Sequence, residues 1–361
     1  MILFITRKYL PTIGGMEKVA YELSTHLANM TEVKLVKWGG SKHRWIPLVL
    51  PYLLIRSSWV LLTRKIDIIY VEDGMLAPIG FMLKIFRKPV AVTVHGKDIA
   101  FENWVYQLII PKCINKLDKV FCVSQAIKNA CLERGIAENK TIIMVNGISD
   151  EFKIDQDRSI LKEELSQLVG KNLKNKKVLL SVGRLTMKKG IHWCVDNVIP
   201  RLLKHNFVYI IAGDGILSST IKKSIKDKGL ENVVFMVGRA DLDMLRILYN
   251  AADILIMPNI PVSGDMEGFG LVSVEAASCS LPVIASNLEG IKDAIKDGEN
   301  GFLIKPYDVE GYVRKIEELI ENDEQRMAFG NKARKFTIDK FSWDYIAQNY
   351  YSQLCKLKET I

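Results

Sequence analysis

The feature that most constrains this chain is a rhythm that runs through it twice. Short apolar, β-rich runs alternate with helix-patterned segments. The first series lies at 2–6, 33–38, 66–71, 89–94, 119–123 and 141–145. The pattern restarts at Lys177-Val178-Leu179-Leu180-Ser181-Val182 and recurs near 207–212, 232–236, 253–257, 282–286 and 301–304. Strands that alternate with helices are joined by crossovers, so they pair in parallel and helices cover the sheet. Runs such as Phe207-Val208-Tyr209-Ile210-Ile211 are apolar without alternation, which fits strands buried on both faces. A chain of 361 residues has room for two such domains. The polar stretch at about 150–176 separates the series and predicts domains at 1–165 and 166–340. After about residue 308 the pattern is helical to the end. The expected fold is α/β: two doubly wound, Rossmann-like domains facing across a cleft, with ligands beyond the carboxyl ends of the strands.

Composition narrows the class. The chain is 48% hydrophobic and 25% charged, as in ordinary globular proteins. Its six cysteines (Cys113, Cys122, Cys131, Cys194, Cys279, Cys355) never fall in Cys-x-x-Cys spacing, which points to buried free thiols in a reducing compartment. The start, Met1-Ile2-Leu3-Phe4-Ile5-Thr6, lacks the basic lead and apolar length of a signal peptide and reads as a first strand. No apolar stretch is long enough to cross a membrane. These features predict a cytoplasmic protein. The net charge of +9 is uneven: Met1 to Ser149 holds 20 basic and 11 acidic residues, and the remainder holds 30 of each. The excess lies wholly in the first half, which suggests an anionic partner there: nucleic acid, membrane headgroups or a phosphorylated ligand.

One segment of that half stands apart. Residues Trp45 to Leu62 are apolar, carry Trp45 and Trp59, and are flanked by Lys42, Arg44, Arg64 and Lys65. Pro47, Pro51 and Arg56 interrupt the run. It reads either as an interfacial contact with an anionic membrane or as a helix packed on the sheet.

Four short motifs carry chemistry. Gly14-Gly15 follows the first strand and opens a helix, where free N–H groups suit an anion, although a Gly-Gly pair is equally a plain loop-to-helix turn. In Val182-Gly183-Arg184-Leu185-Thr186-Met187-Lys188-Lys189-Gly190, Arg184 and Lys189 place two cations at a strand's carboxyl end, a pattern able to clamp a diphosphate. His95, in Val94-His95-Gly96-Lys97-Asp98, ends a strand and is either a hydrogen-bond donor to substrate or a satisfied structural histidine. In "DMEGFGLVSVE" (265–275), Glu267 and Glu275 bracket a glycine turn whose Phe269, Gly270 and Leu271 N–H groups form an anion site. A polyol–phosphate–polyol ligand matches that order. Asp241-Leu242-Asp243 resembles a metal-binding Asp-x-Asp but begins a helix, so it reads as N-cap and dipole partner.

Taken together these residues resemble the retaining glycosyltransferases of family four, which have the GT-B fold. The matches are Gly14-Gly15, His95-Gly96-x-Asp98, Val182-Gly183-Arg184 with Lys189-Gly190, Ala212-Gly213-Asp214-Gly215, Val237-Gly238-Arg239, and Glu267-x7-Glu275. The stretch "PVIASNLEGIKDAIKDGENGFLI" (282–304) is also similar to that family. The resemblance runs from about residue 1 to 340 and is densest from 181 to 304.

The resemblance implies roles. Arg184 and Lys189 would neutralise the diphosphate of a UDP- or GDP-sugar donor. Glu275 would hold the ribose, and Glu267 with the Gly268, Phe269 and Gly270 backbone would hold the hexose. Gly15, Gly183 and Gly213 would let the donor approach, and Gly238-Arg239 would lie beside the base. His95 would meet the sugar near its reacting carbon, and Gly14 and Asp98 would face the acceptor. It further implies a helix at about 341–361 crossing back to the first domain, front-face transfer with retention, and no metal or other cofactor. The acceptor would be a glycan or a lipid-linked hydroxyl, met at the inner face of the cell membrane through the basic first domain. Rival readings are an epimerase of the same fold, a nucleotide-dependent oxidoreductase, and a basic nucleic-acid binder. The oxidoreductase lacks Gly-x-Gly-x-x-Gly after either first strand, and the nucleic-acid binder lacks an aromatic-basic motif.

Overall fold

Every expected run forms a strand, with ends within two residues of the reading above. The computed structural model describes residues 1–11, 14–39 and 46–359. The first series gives β1 (Ile2–Thr6), β2 (Val33–Lys37), β3 (Ile68–Val71), β4 (Val90–Val94), β5 (Lys119–Cys122) and β6 (Thr141–Ile143). They form one parallel sheet in the order β2-β1-β3-β4-β5-β6, with Ile2 level with Val33 on one side and Ile68 on the other. The second series gives β7 (Lys177–Val182), β8 (Phe207–Ala212), β9 (Val234–Gly238), β10 (Ile254–Met257), β11 (Val283–Ser286) and β12 (Phe302–Ile304). These form a second parallel sheet, β12-β11-β10-β7-β8-β9. The central strands β3, β4, β8, β10 and β11 are buried along their whole length, as their unbroken apolar sequences require.

In each sheet the strand order reverses beside the first strand: between β1 and β3, and between β7 and β10. Loops leaving the two strands at such a point diverge and open a crevice at the carboxyl edge. The sequence places Gly14-Gly15 and Glu72-Asp73 at the first reversal, and Gly183 to Gly190 with Pro258 at the second.

The chain divides into two units that do not follow sequence order. One gathers Met1–Gly147, Gly264–Phe269 and Phe341–Ile361, and the other Ile148–Ser263 with Gly270–Lys340. The border expected at 165/166 falls inside the helix Arg158–Val169. The polar stretch around it is no linker. Ile154 N–H donates to Asn250 Oδ1 at 3.3 Å, and Arg158 pairs with Asp253 at 2.8 Å, which ties the segment to the second sheet. The second unit therefore begins at Ile148. The last helix, Trp343–Glu359, belongs to the first unit and packs on the helix Gly15–Met30. Its Tyr350 hydroxyl donates to the Met144 carbonyl at 3.1 Å, and its Tyr350 ring meets Tyr70 and Phe121 edge-on. At Gly147 an added Cβ would lie 2.5 Å from the Trp343 ring, so only glycine fits beneath that indole.

The ambiguous apolar segment is a helix, Ile46–Thr63. Lys42, Arg44 and Trp45 lie outside the described residues. Val49, Leu53 and Val60 face inward against β1 and β2. Its other face is equally apolar and exposed. No described helix is long and apolar enough to cross a membrane.

Candidate active site

The first unit builds its site around His95, the residue after β4. The imidazole is only 7% exposed, and its Nε2 lies 3.1 Å from Glu72 Oε1 and 3.2 Å from the Glu72 carbonyl. Glu72 is 2% exposed and follows β3, the neighbouring strand. Its other oxygen, Oε2, accepts from the Tyr70 hydroxyl, which meets Thr93 Oγ1 at 2.5 Å. A buried chain of polar groups thus runs from the sheet interior to the histidine. Burial works against the charged imidazolium. The Glu72 hydrogen bond, followed by the charges of Glu72, Asp98 and Asp73, outweighs it and raises the pKa from 6.5 to about 9. His95 is therefore an imidazolium at neutral pH, and no described residue engages its Nδ1.

Asp98 does a different job from the acceptor contact expected of it. Its carboxylate accepts from the N–H groups of His95 (2.9 Å), Gly96 (2.7 Å) and Gly74 (3.0 Å). It is buried and folds the His95-Gly96 turn around itself. Gly96 has φ +129°, open to glycine alone, and an added Cβ there would lie 3.4 Å from the Gly268 Cα. Gly268 is more constrained: a Cβ would fall 1.9 Å from the His95 carbonyl oxygen. The loop Gly264–Phe269, which carries Glu267, is thus laid directly on the His95 turn. The Phe269 ring packs on Phe341, ring centroids 5.9 Å apart. Gly14 and Gly15 open the helix Gly15–Met30 at the same edge of the sheet, with no side-chain cap.

Three residues of this site, Arg7, Glu72 and Asp73, escaped the motif reading. Arg7, after β1, pairs with Asp73, after β3, across the point where the strand order reverses. Glu72 and Asp73 carried one signal: acids directly after the wholly apolar strand Ile68-Ile69-Tyr70-Val71.

The second unit stacks three glycine turns at one edge of its sheet. Gly183 follows β7, Gly213 follows β8, and Gly238 ends β9. Gly213 has φ +151°, and a Cβ there would lie 1.9 Å from the Gly183 oxygen; its N–H donates to the Gly238 oxygen at 2.6 Å. The result is a pad of bare backbone. Lys189 lies over it, its Cε 3.5 Å from the place a Gly183 Cβ would take. Arg184 is exposed in the same loop, with no ion-pair partner among the described residues. Leu185 N–H donates to the Asp214 carbonyl, tying this loop to the next. Gly190 fits against the Pro258 carbonyl, where a Cβ would lie 1.8 Å away. Arg239 is exposed just beyond Gly238.

Gly270, at φ +86°, starts the helix Leu271–Ser278 without a side-chain cap. Glu275, on its second turn, is buried and accepts from the Tyr249 hydroxyl at 2.9 Å. Glu267 and Glu275 therefore belong to different units. Asp241 caps the helix Leu242–Ala251, accepting from Met244 N–H at 2.9 Å.

Comparison with known proteins fits these turns into a family. Residues 163–336 match the family described as "Glycosyl transferases group 1", and residues 13–152 match "Glycosyltransferase Family 4". The chain belongs to the family 4 glycosyltransferases. The transferase is 28% identical over 304 residues to the uncharacterized glycosyltransferase MJ1607 of Methanocaldococcus jannaschii, covering 79% of this chain and 74% of that one. It is 23% identical to a GDP-mannose-dependent phosphatidylinositol monomannoside mannosyltransferase of Mycolicibacterium smegmatis, with 95% of each covered. Among solved structures, Anabaena HepE in complex with UDP superposes with a TM-score of 0.77 at 21% identity, covering 98% of the transferase and 99% of HepE. The two parallel sheets of the transferase are thus those of the GT-B fold.

Proposed function

We propose that the chain moves a hexosyl group from a UDP- or GDP-sugar to a hydroxyl of a glycan or lipid-linked acceptor, with retention and without a metal ion. The observation that carries this reading is the backbone pad of Gly183, Gly213 and Gly238 with Arg184 and Lys189 in the adjoining loop. Backbone without side chains, which a ligand can approach closely, and two cations at a strand-order reversal suit a diphosphate. HepE, of the same fold, has also been solved with UDP-glucose.

In the reaction the anomeric carbon–oxygen bond breaks and its electron pair goes to the diphosphate. The acceptor oxygen then bonds the anomeric carbon from the same face. Its proton passes to the departing phosphate oxygen. Arg184 and Lys189 stabilise the charge that develops on the diphosphate, the work a metal would otherwise do. The His95 imidazolium donates to the sugar through Nδ1. Glu267 receives the hexose hydroxyls, and Glu275, already held by Tyr249, receives the ribose.

The test is nucleotide-dependent stabilisation followed by a donor screen. UDP or GDP should raise the melting temperature, and one UDP- or GDP-sugar should be slowly hydrolysed with EDTA present. Stabilisation by NAD or an oligonucleotide instead would point to the rival functions. Conversion of the donor sugar to its epimer with no acceptor present would point to an epimerase.

The acceptor side carries a membrane contact. The helix Ile46–Thr63 exposes Leu48, Tyr52, Ile55, Trp59 and Leu62, spaced 4, 3, 4 and 3 residues apart along one stripe. Leu62 is 76% exposed. The adjoining helix Ala77–Leu83 adds Phe81 and Met82, and Ile85 beyond it is 81% exposed. Arg56, Arg64, Lys65 and Arg87 stand exposed around this face, with Arg56 over the Trp59 ring at 5.0 Å. Apolar side chains rimmed by cations suit the anionic cytoplasmic leaflet. The protein should co-sediment with phosphatidylglycerol vesicles at low salt. Ile55→Glu with Leu62→Glu should weaken partitioning about a thousandfold, since the two side chains at about 2 kcal/mol each contribute about 4 kcal/mol. Equal sedimentation of both proteins would remove this contact from the reading.

A further inference from the structure

A second basic site lies in the second unit, away from the glycine pad. Asp253 immediately precedes β10 and accepts from Val178 N–H at the start of β7, so this region is the amino edge of the sheet. The glycine turns occupy the carboxyl edge. Here the chain surrounds a cavity of about 200 Å³ lined by Lys153, Arg158, Asn250, Asp253, Arg326 and Asn331 among others. Three cations and one carboxylate give the lining a net charge of +2.

Each cation is anchored so that donors remain unspent. Arg158 NH2 donates to the Ala251 and Ala252 carbonyls and to Asp253 Oδ1, which fixes the guanidinium by one nitrogen. Arg326 is 4% exposed; NH1 serves Leu319 and Asp323, and NH2 lies 3.2 Å from Asp253. Its Nε is enclosed and has no acceptor among the described residues. Lys153 is positioned by its neighbours: Asn250 Nδ2 donates to the Phe152 carbonyl, and Asn250 Oδ1 accepts from Ile154 N–H. One amide thus grips the backbone on both sides of Lys153. No described residue forms a hydrogen bond or ion pair with that ammonium.

The lone carboxylate is already shared. Asp253 meets Arg158 at 2.8 Å, Arg326 at 3.2 Å and Lys162 at 3.6 Å. Burial lowers the Lys162 pKa; Asp253 raises it, and the repulsion of Arg158 and Lys177 lowers it further. With Asp323 also on Arg326, four cations (Lys153, Arg158, Lys162, Arg326) face two carboxylates, so the balance stays positive.

We propose that this cavity binds a small phosphate monoester, with Lys153, Arg158 and Arg326 on the phosphate and Asn331 toward the remainder. Three cations on one lining suit a dianion, and a cavity of about 200 Å³ suits a small one. The site lies at the opposite edge of the sheet from the donor loop and shares with it only Tyr249, which lines the cavity and donates to Glu275. Its occupant would bind residues 153–158 more firmly to the second sheet.

The test is calorimetric titration of the full chain with sn-glycerol 3-phosphate in saturating UDP, with glycerol as control. One phosphate-dependent site is expected, together with a rise of a few degrees in melting temperature. Lys153→Met should weaken the binding at least tenfold while leaving folding and donor hydrolysis unchanged. Arg158→Met should do the same for binding, but it also removes one of the cations on Asp253, so Lys153→Met is the deciding variant. Equal affinity in Lys153→Met, equal heat from glycerol, absence of binding at millimolar ligand, or loss of binding when UDP is added would each overturn the proposal.

Discussion

Replacing Lys189 by alanine is expected to lower kcat/KM about a hundredfold, and replacing Arg184 should do the same. On the proposed reading, each change removes one cation from the place where the departing diphosphate would gain charge, a contact worth about 3 kcal/mol. The loss should fall mainly on kcat, because the charge grows as the bond breaks. Lys189 is the better placed of the two, since its stem lies against Gly183. Arg184 is exposed, so its removal should leave the melting temperature nearly unchanged. Steady-state kinetics on the donor found by the screen decides the matter. Turnover close to that of the unaltered enzyme in both variants would overturn the assignment.

The second large effect is expected at Glu72. Its carboxylate is what holds the buried His95 imidazole charged. In Glu72→Gln the hydrogen bond weakens, the nearest opposite charge is lost, and burial then pulls the His95 pKa downward from about 9. Activity that requires the imidazolium should be flat from about pH 6 to 8 in the unaltered enzyme and fall as the pH rises through about 9. In the variant that alkaline fall should begin below neutrality. Stability follows the same linkage. The folded pKa lies above 6.5, so the pair's contribution is complete below about pH 6.5 and is lost as the pH climbs through about 9. Removing one partner of a buried pair costs about 3 kcal/mol, so the variant should also melt at a lower temperature at pH 6. A pH–rate curve identical to the unaltered one would show that Glu72 has no hold on the reaction. A purely structural residue would shift the melting temperature alone.

The strands were legible because burial on both faces leaves no room for polar alternation: Phe207-Val208-Tyr209-Ile210-Ile211-Ala212 can be little else. The glycine turns were legible for a related reason. Gly213 and Gly268 sit where any Cβ would strike a carbonyl oxygen, and such a requirement marks the sequence. Glu72 was not legible, because its significance comes from His95, twenty-three residues away on the next strand. The helix Ile46–Thr63 read ambiguously for a physical reason: both of its faces are apolar, so periodicity could not tell packing from exposure. Asp98 looked like a ligand residue because it stands in a chemical motif; its bonds run to backbone N–H groups, of His95 and Gly96 in its own turn and of Gly74 on another loop. The 165/166 border failed because Asn250 holds the backbone on both sides of Lys153 and Asp253 pairs with Arg158, so the stretch is not a solvated linker.

The discontinuous make-up of the first unit bears on how such enzymes can be recombined. Its last helix arrives from the far end of the chain, with Trp343 against Gly147 and Tyr350 bonded to the Met144 carbonyl. A chimera that joins this amino half to a foreign carboxyl half at residue 148 would import a tail never fitted to Gly147, Tyr70 or Phe121. Exchanging donor preference by grafting therefore needs two junctions, one near 148 and one near 341, so that each amino half keeps its own tail. The hexapeptide Gly264–Phe269 adds a further condition, since it must match the His95 turn of whichever parent supplies it.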